Sequence, residues 1–190
     1  MSESMSQSRF LSYFGRFEYS ILDKYYLDAS VRNDACSRFG ADNRNATFWA
    51  VGGMWKLKAE DFLYAVSAVN DLNFKVSYGT QGNDAIGGDY ALYLDQYQVT
   101  NVEGKPGIVQ VTRGNADITW EKSTNFNVGF EANMFNNRLS VEFDYFTKVT
   151  SDMLFSRALP PSVGSPSSVA DNGMEMQNNG VELTVNGVLI

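Results

Sequence analysis

The chain of 190 residues contains no histidine and a single cysteine, Cys36. Without histidine it lacks the commonest metal ligand and the usual general base at neutral pH. One cysteine excludes an internal disulfide. Basic residues are scarce: 15 Lys and Arg stand against 22 Asp and Glu, a net charge of −7. That balance excludes the basic surface a nucleic-acid partner requires. No stretch approaches the ~18 consecutive apolar residues of a membrane-spanning helix. Strands remain open, because a barrel strand is apolar only at every second position. No G-x-x-x-x-G-K-[ST] loop occurs, and Gly79-x-x-Gly82 and Gly52-Gly53 match no phosphate-binding pattern. No cofactor and no metal ligand set are therefore expected. Met1 to Ser6 shows no basic head followed by an apolar stretch. The expectation is that no signal peptide is present and that the chain is a fragment or an incomplete frame.

What is present is alternation. Phe126, Val128, Phe130, Ala132 and Met134 interleave with Asn125, Asn127, Gly129, Glu131 and Asn133. After Asn136-Asn137, Leu139, Val141, Phe143, Tyr145 and Val149 share one face, and Ser140, Glu142, Asp144 and Lys148 the other. Period two means one apolar and one wet face. Each arm has about the ~9–11 residues of a tilted membrane strand. A two-residue loop pairs Phe130 with Phe143 and Glu131 with Glu142. Two opposed glutamates are tolerable only on a hydrated face.

The pattern recurs. Arg9 to Ile21 places Leu11, Tyr13, Phe17, Tyr19 and Ile21 together, with Phe14 as the exception. The next strand places Tyr25, Leu27, Ala29 and Val31 outward. Matching these faces requires a three-residue loop, Leu22-Asp23-Lys24, that pairs Ile21 with Tyr25. A third strand carries Trp49, Val51, Trp55 and Leu57; a helical turn is expected at Glu60 to Leu63. A fourth strand carries Leu72, Phe74, Val76 and Tyr78 outward and Asn73, Lys75 and Ser77 inward. The hairpin above supplies two more, and a seventh begins near Gly180. Gly79 to Ile118 and Arg157 to Asn178 read as long polar loops. Connections after the second, fourth and sixth strands are longer than the others, as in an outer-membrane barrel. The fold class is all-β: antiparallel up-and-down hairpins of a partial transmembrane β-barrel, about seven strands. Tyr19, Tyr25, Trp49 and Trp55 lie near strand ends, where amphipathic rings suit the membrane interface.

The run Arg32-Asn33-Asp34-Ala35-Cys36-Ser37-Arg38-Phe39-Gly40 resembles the R-x-D-G-S-S-R-F-G signature of SusC/RagA-type TonB-dependent outer-membrane transporters. Phe48 to Trp55, Glu60-Asp61-Phe62, Leu72 to Asn83, Thr119-Trp120-Glu121, Phe135 to Leu139 and Asn178 to Leu183 agree in order. The departures are Ala35 for Gly and Cys36 for Ser. The resemblance implies a larger parent with a signal peptide, a TonB box, a plug and a barrel of about 22 strands. Residues 1–190 then form part of that barrel, with plug, TonB box and signal peptide absent. It also implies the outer membrane as location and lipid as surroundings. The implied partners are a SusD-like surface lipoprotein, the TonB complex through the absent N-terminal part, and a glycan or peptide substrate.

Within this frame Tyr90, Tyr93 and Tyr97 are candidate substrate-binding residues, in external loops spanning Ala85 to Ile108 and Arg157 to Gly173. Glu131, Glu142 and Asp144 are candidate barrel lining. No catalytic residue is expected. Two rivals differ in class. One is a soluble all-β module that binds carbohydrate through the loop tyrosines. The other is a β-rich glycosidase using two of the three carboxylates.

Overall fold

In the computed structural model, residues 7–85, 91–102 and 104–188 are described. The strands are β1 (Phe10–Ile21), β2 (Tyr25–Cys36), β3 (Asn45–Lys56), β4 (Val69–Asn83), β5 (Gln96–Val102), β6 (Lys105–Thr112), β7 (Glu121–Met134), β8 (Leu139–Ala158) and β9 (Ser168–Gly187). Seven form one antiparallel sheet in the order β1-β2-β3-β4-β7-β8-β9, and β5-β6 form a separate hairpin. A short α-helix, α1 (Asp61–Tyr64), lies in the β3–β4 connection.

The register carries the alternation across the whole sheet. One row runs Ile21, Tyr25, Trp55, Phe74, Phe130, Phe143, Leu183; the next runs Tyr19, Leu27, Gly53, Val76, Val128, Tyr145, Val181. These apolar residues lie largely open, with Tyr19 54% and Leu183 66% exposed. Rings pair along this face: Trp49–Tyr78 at 5.5 Å, Phe130–Phe143 at 5.7 Å and Tyr25–Trp55 at 6.0 Å between centroids. The opposite face is polar.

Turns follow from local chemistry. Ile21 pairs with Tyr25 around Leu22-Asp23-Lys24, and Lys24 N–H donates to Ile21 O at 3.0 Å. The β7–β8 turn places Phe135, Asn136 and Asn137 at φ of 55°, 56° and 62°. Asparagine tolerates that left-handed region better than most residues. A bulge between Val69 and Asp71 frees Asn70, whose Oδ1 accepts from Asn137 N–H at 3.2 Å.

Small residues admit large neighbours on adjacent strands. A side chain at Gly52 would strike Asp28, one at Gly129 Asp144, one at Gly180 the Phe146 ring, and one at Gly82 the Phe48 ring. Glycine here provides space rather than unusual dihedrals.

Two expectations need correction. Gly79 to Ile118 is not a bare loop: β4 continues to Asn83, and β5-β6 form a hairpin around Gly104 at φ 82°. Arg157 to Asn178 is mostly strand, since β8 runs to Ala158 and β9 begins at Ser168. Polar residues on both faces concealed those extensions. Strands of 20 residues are about twice the ~9–11 a tilted membrane strand needs. Their upper halves therefore stand beyond an apolar band ~25 Å tall.

Candidate functional site

The polar face is hollowed into a trough of about 670 Å³. Its floor is small and polar: Gly52, Ser77, Asn127 and Gly129, with Lys75 central and Asp28 and Asp144 at the sides. Lys75 Nζ donates to Glu131 Oε2 at 2.8 Å. Glu131 stands directly opposite Glu142 on β8, so the lysine offsets part of the repulsion between them. The pair is over one-third exposed at both ends, which limits its contribution to about 0–1 kcal/mol. Lys75 is the residue the sequence reasoning missed. The signal was available, since Lys75 was already placed on the wet face and Phe74 pairs with Phe130.

A glycosidase requires one neutral and one ionised carboxyl, usually through contrasting burial. Glu131 is held in an ion pair and Glu142 is exposed. The site supplies no such contrast.

Above the trough, the long connections close into a rim with the sheet's main buried core. Phe39, Leu92 and Ile118 are fully buried, and Cys36, Phe48 and Trp120 nearly so. Trp120 is the hub. Its ring lies 5.2 Å from Phe39, 5.8 Å from Phe48 and 6.0 Å from Phe10, and its Nε1–H donates to Arg44 O at 3.1 Å. The signature residues build this rim. Arg32 pairs with buried Asp34 at 2.8 Å, and Arg38 Nη1 donates to Asp84 O at 3.0 Å. The Cys36 thiol donates to Asp84 Oδ2 at 3.2 Å; its burial removes it from solution chemistry.

Asn172 ties the rim to the long strands: Thr119 N–H donates to its Oδ1 at 2.8 Å, and its Nδ2 donates to Thr119 O at 3.0 Å. Asn115 Nδ2 donates to Ala170 O at 3.1 Å. The β5-β6 hairpin projects from this frame as an arm. Ser165 Oγ ties the arm to the β8–β9 connection by donating to Gln110 O at 2.9 Å.

Of the candidate tyrosines, Tyr93 packs half-buried against the rim core and Tyr97 is 61% exposed on the arm. Tyr90 lies outside the described residues. Glu131, Glu142 and Asp144 share the polar face, and Tyr97 and the carboxylates belong to different parts of the molecule. The rim core escaped the sequence reasoning, although the signature and Thr119-Trp120-Glu121 marked it.

An antiparallel sheet with one continuous apolar face, one hollowed polar face and a folded rim on one side defines a wall section of a transmembrane β-barrel. The chain belongs to the TonB-dependent receptor family: the family model "TonB dependent receptor-like, beta-barrel" matches residues 2–189. Its fold and kinship place it in the outer membrane. It is 32% identical to the TonB-dependent receptor SusC of Bacteroides thetaiotaomicron over 95% of this chain and 19% of that protein. With the TonB-dependent receptor P3 of Formosa agariphila it shares 31% identity, over 97% of this chain and 19% of the relative. The RagAB peptide importer superposes with a TM-score of 0.87 at 40% identity, covering 95% of this chain and 20% of that one. The siderophore receptor PirA of Pseudomonas aeruginosa shares the fold, at TM-score 0.63 and 13% identity. The chain thus spans about one fifth of the length of its curated relatives.

Proposed function

We propose that the chain is part of the barrel of an outer-membrane importer of glycans or peptides, driven through TonB and working with a SusD-like surface lipoprotein. The observation that carries this reading is the apolar face running unbroken across seven strands, opposite a wet trough. Lipid covers the first, and the second lines the passage. Glu131, Glu142 and Asp144 are lining carboxylates, and the chain is not an enzyme. The rim and the arm form the external mouth, where Tyr97 presents a ring to incoming substrate. Similarity to SusC and to the RagAB peptide importer supports the transporter class.

The test uses a full-length transporter containing this segment. Glu131→Gln and Glu142→Gln each remove one charge from a wet wall, so uptake of labelled oligosaccharide or peptide should stay largely intact. Glycan hydrolysis by the purified protein, abolished by Glu142→Gln, would overturn the reading in favour of an enzyme.

A further inference from the structure

The β3–β4 connection is not a slack turn. Leu57–Ala59 form a tight helical turn and α1 follows directly. Lys58 folds over the end of α1 and donates from Nζ to Leu63 O at 3.0 Å, Tyr64 O at 3.2 Å and Val66 O at 2.7 Å. Leu63 O also accepts from Val66 N–H at 3.1 Å and Val66 O from Val69 N–H at 3.3 Å, so the lysine adds a second donor to a turn already closed by its backbone. One cation thus braces the whole turn.

Glu60 determines where this unit sits. Its Oε1 accepts from Tyr25 Oη at 2.7 Å and from Trp55 Nε1 at 3.1 Å, and its Oε2 accepts from Lys24 Nζ at 3.1 Å. Tyr25 and Trp55 stack on the apolar face, at the end of its lowest aromatic row. Rings at that position ordinarily direct their polar tips to lipid headgroups. Here one carboxylate occupies both tips, so the connection is folded outward beneath the apolar face. In that position Phe62 is 66% and Tyr64 77% exposed, on a segment pinned at both ends.

We infer that residues 57–66 form a membrane foot: a folded turn that lies against the inner-leaflet headgroups and seats Phe62 and Tyr64 in the phospholipid interface. The inference rests on the barrel-wall reading. Three features select lipid as the occupant. The foot is continuous with the lipid-facing row through Tyr25 and Trp55. Its two exposed rings are types that favour an interface, tyrosine above all. Its rigidity means these rings gain burial without ordering the backbone at that moment.

The test places an environment-sensitive fluorophore on Phe62→Cys or Tyr64→Cys in the full-length transporter. The protein is reconstituted in vesicles of phosphatidylethanolamine with a minority of phosphatidylglycerol. Comparison labels sit on Phe130→Cys in the apolar face and Lys105→Cys at the arm. Quenching by a lipid carrying a doxyl group near its headgroup is compared with quenching by aqueous iodide. Labels at 62 and 64 should be quenched severalfold more by the doxyl lipid than by iodide. Glu60→Gln should lower lipid quenching at 62 while leaving the label at 130 unchanged. If that variant fails to fold, the labels in the otherwise unaltered sequence decide alone. Iodide quenching at 62 and 64 comparable to that at 105 overturns the foot. Protection from both quenchers, the sign of a protein partner, overturns it as well. A label at 130 that no lipid quenches overturns the barrel-wall reading instead.

Discussion

Trp120 joins elements that the chain separates widely, contacting Phe10, Phe39, Phe48 and the Arg44 carbonyl. Truncating such a residue typically costs ~3–5 kcal/mol. Trp120→Ala is expected to loosen the rim without unpairing the sheet, read as faster proteolysis between residues 84 and 120. Glu60 is the second residue with a defined consequence. Hydrogen bonds from Tyr25, then Trp55, then Lys24 pull its carboxyl from the ordinary 4.5 to about 2. A lowered folded-state value means stability that is fully present above pH 4.5 and is lost as pH falls toward 2. Acid titration of the folded barrel in detergent should show this loss, and Glu60→Gln should flatten the curve in that window. Neither residue's role was legible in the sequence. Glu60 was expected in a helical turn and stands instead as the extended residue that precedes α1, and its partners come from the β1–β2 turn and a strand pair brought close only by the fold. Lys75 was assigned to the correct face and still not linked to Glu131, 56 positions away.

At the scale of elements, the alternating strands were readable because each has one face in contact with an apolar phase. The β7–β8 register follows from matching ring to ring and carboxylate to carboxylate, and Phe130 does stand opposite Phe143. The three-residue β1–β2 loop follows from the same matching. Alternation stops being informative where both faces are wet or packed on loops. This accounts for the upper halves of β8 and β9. The β5-β6 hairpin was missed for a different reason: Ile108 and Val109 are adjacent and Val99 and Val102 lie three apart, so no period of two is sustained, and the surrounding Gly and Asp residues suggested loop. Because few side-chain ties among the described residues hold the arm, deleting residues 96–112 and joining the ends should leave the seven-stranded sheet folded. Heat-modifiable mobility on a gel checks that outcome. The same deletion should impair substrate capture, measured as reduced binding at the cell surface.

At the scale of the molecule, the apolar face predicts behaviour in solution. Expressed alone, the segment should aggregate or require detergent, since its rings face outward and β1 and β9 each leave an edge open. Size-exclusion chromatography with and without detergent checks this; a monodisperse monomer in plain buffer would favour the soluble-module rival. Connection lengths sort less cleanly than the sequence suggested. The connections 22–24 and 135–138 are short, but 57–68 is long because it is folded. Assembly of such a wall raises a problem that alternation cannot solve. A slip of one position turns every ring the wrong way, whereas a slip of two keeps each face correct and costs little by polarity alone. The glycines opposite Asp28, Asp144 and Phe146 respond to even-numbered slips. Moved by two, Phe146 would meet Asn178 or Glu182, and Asp144 would meet Asn127 or Glu131. Each glycine therefore works as a proofreading notch, rejecting by shape the misalignments that hydrophobicity would accept, and a strand finds its place by fit once lipid has chosen its side.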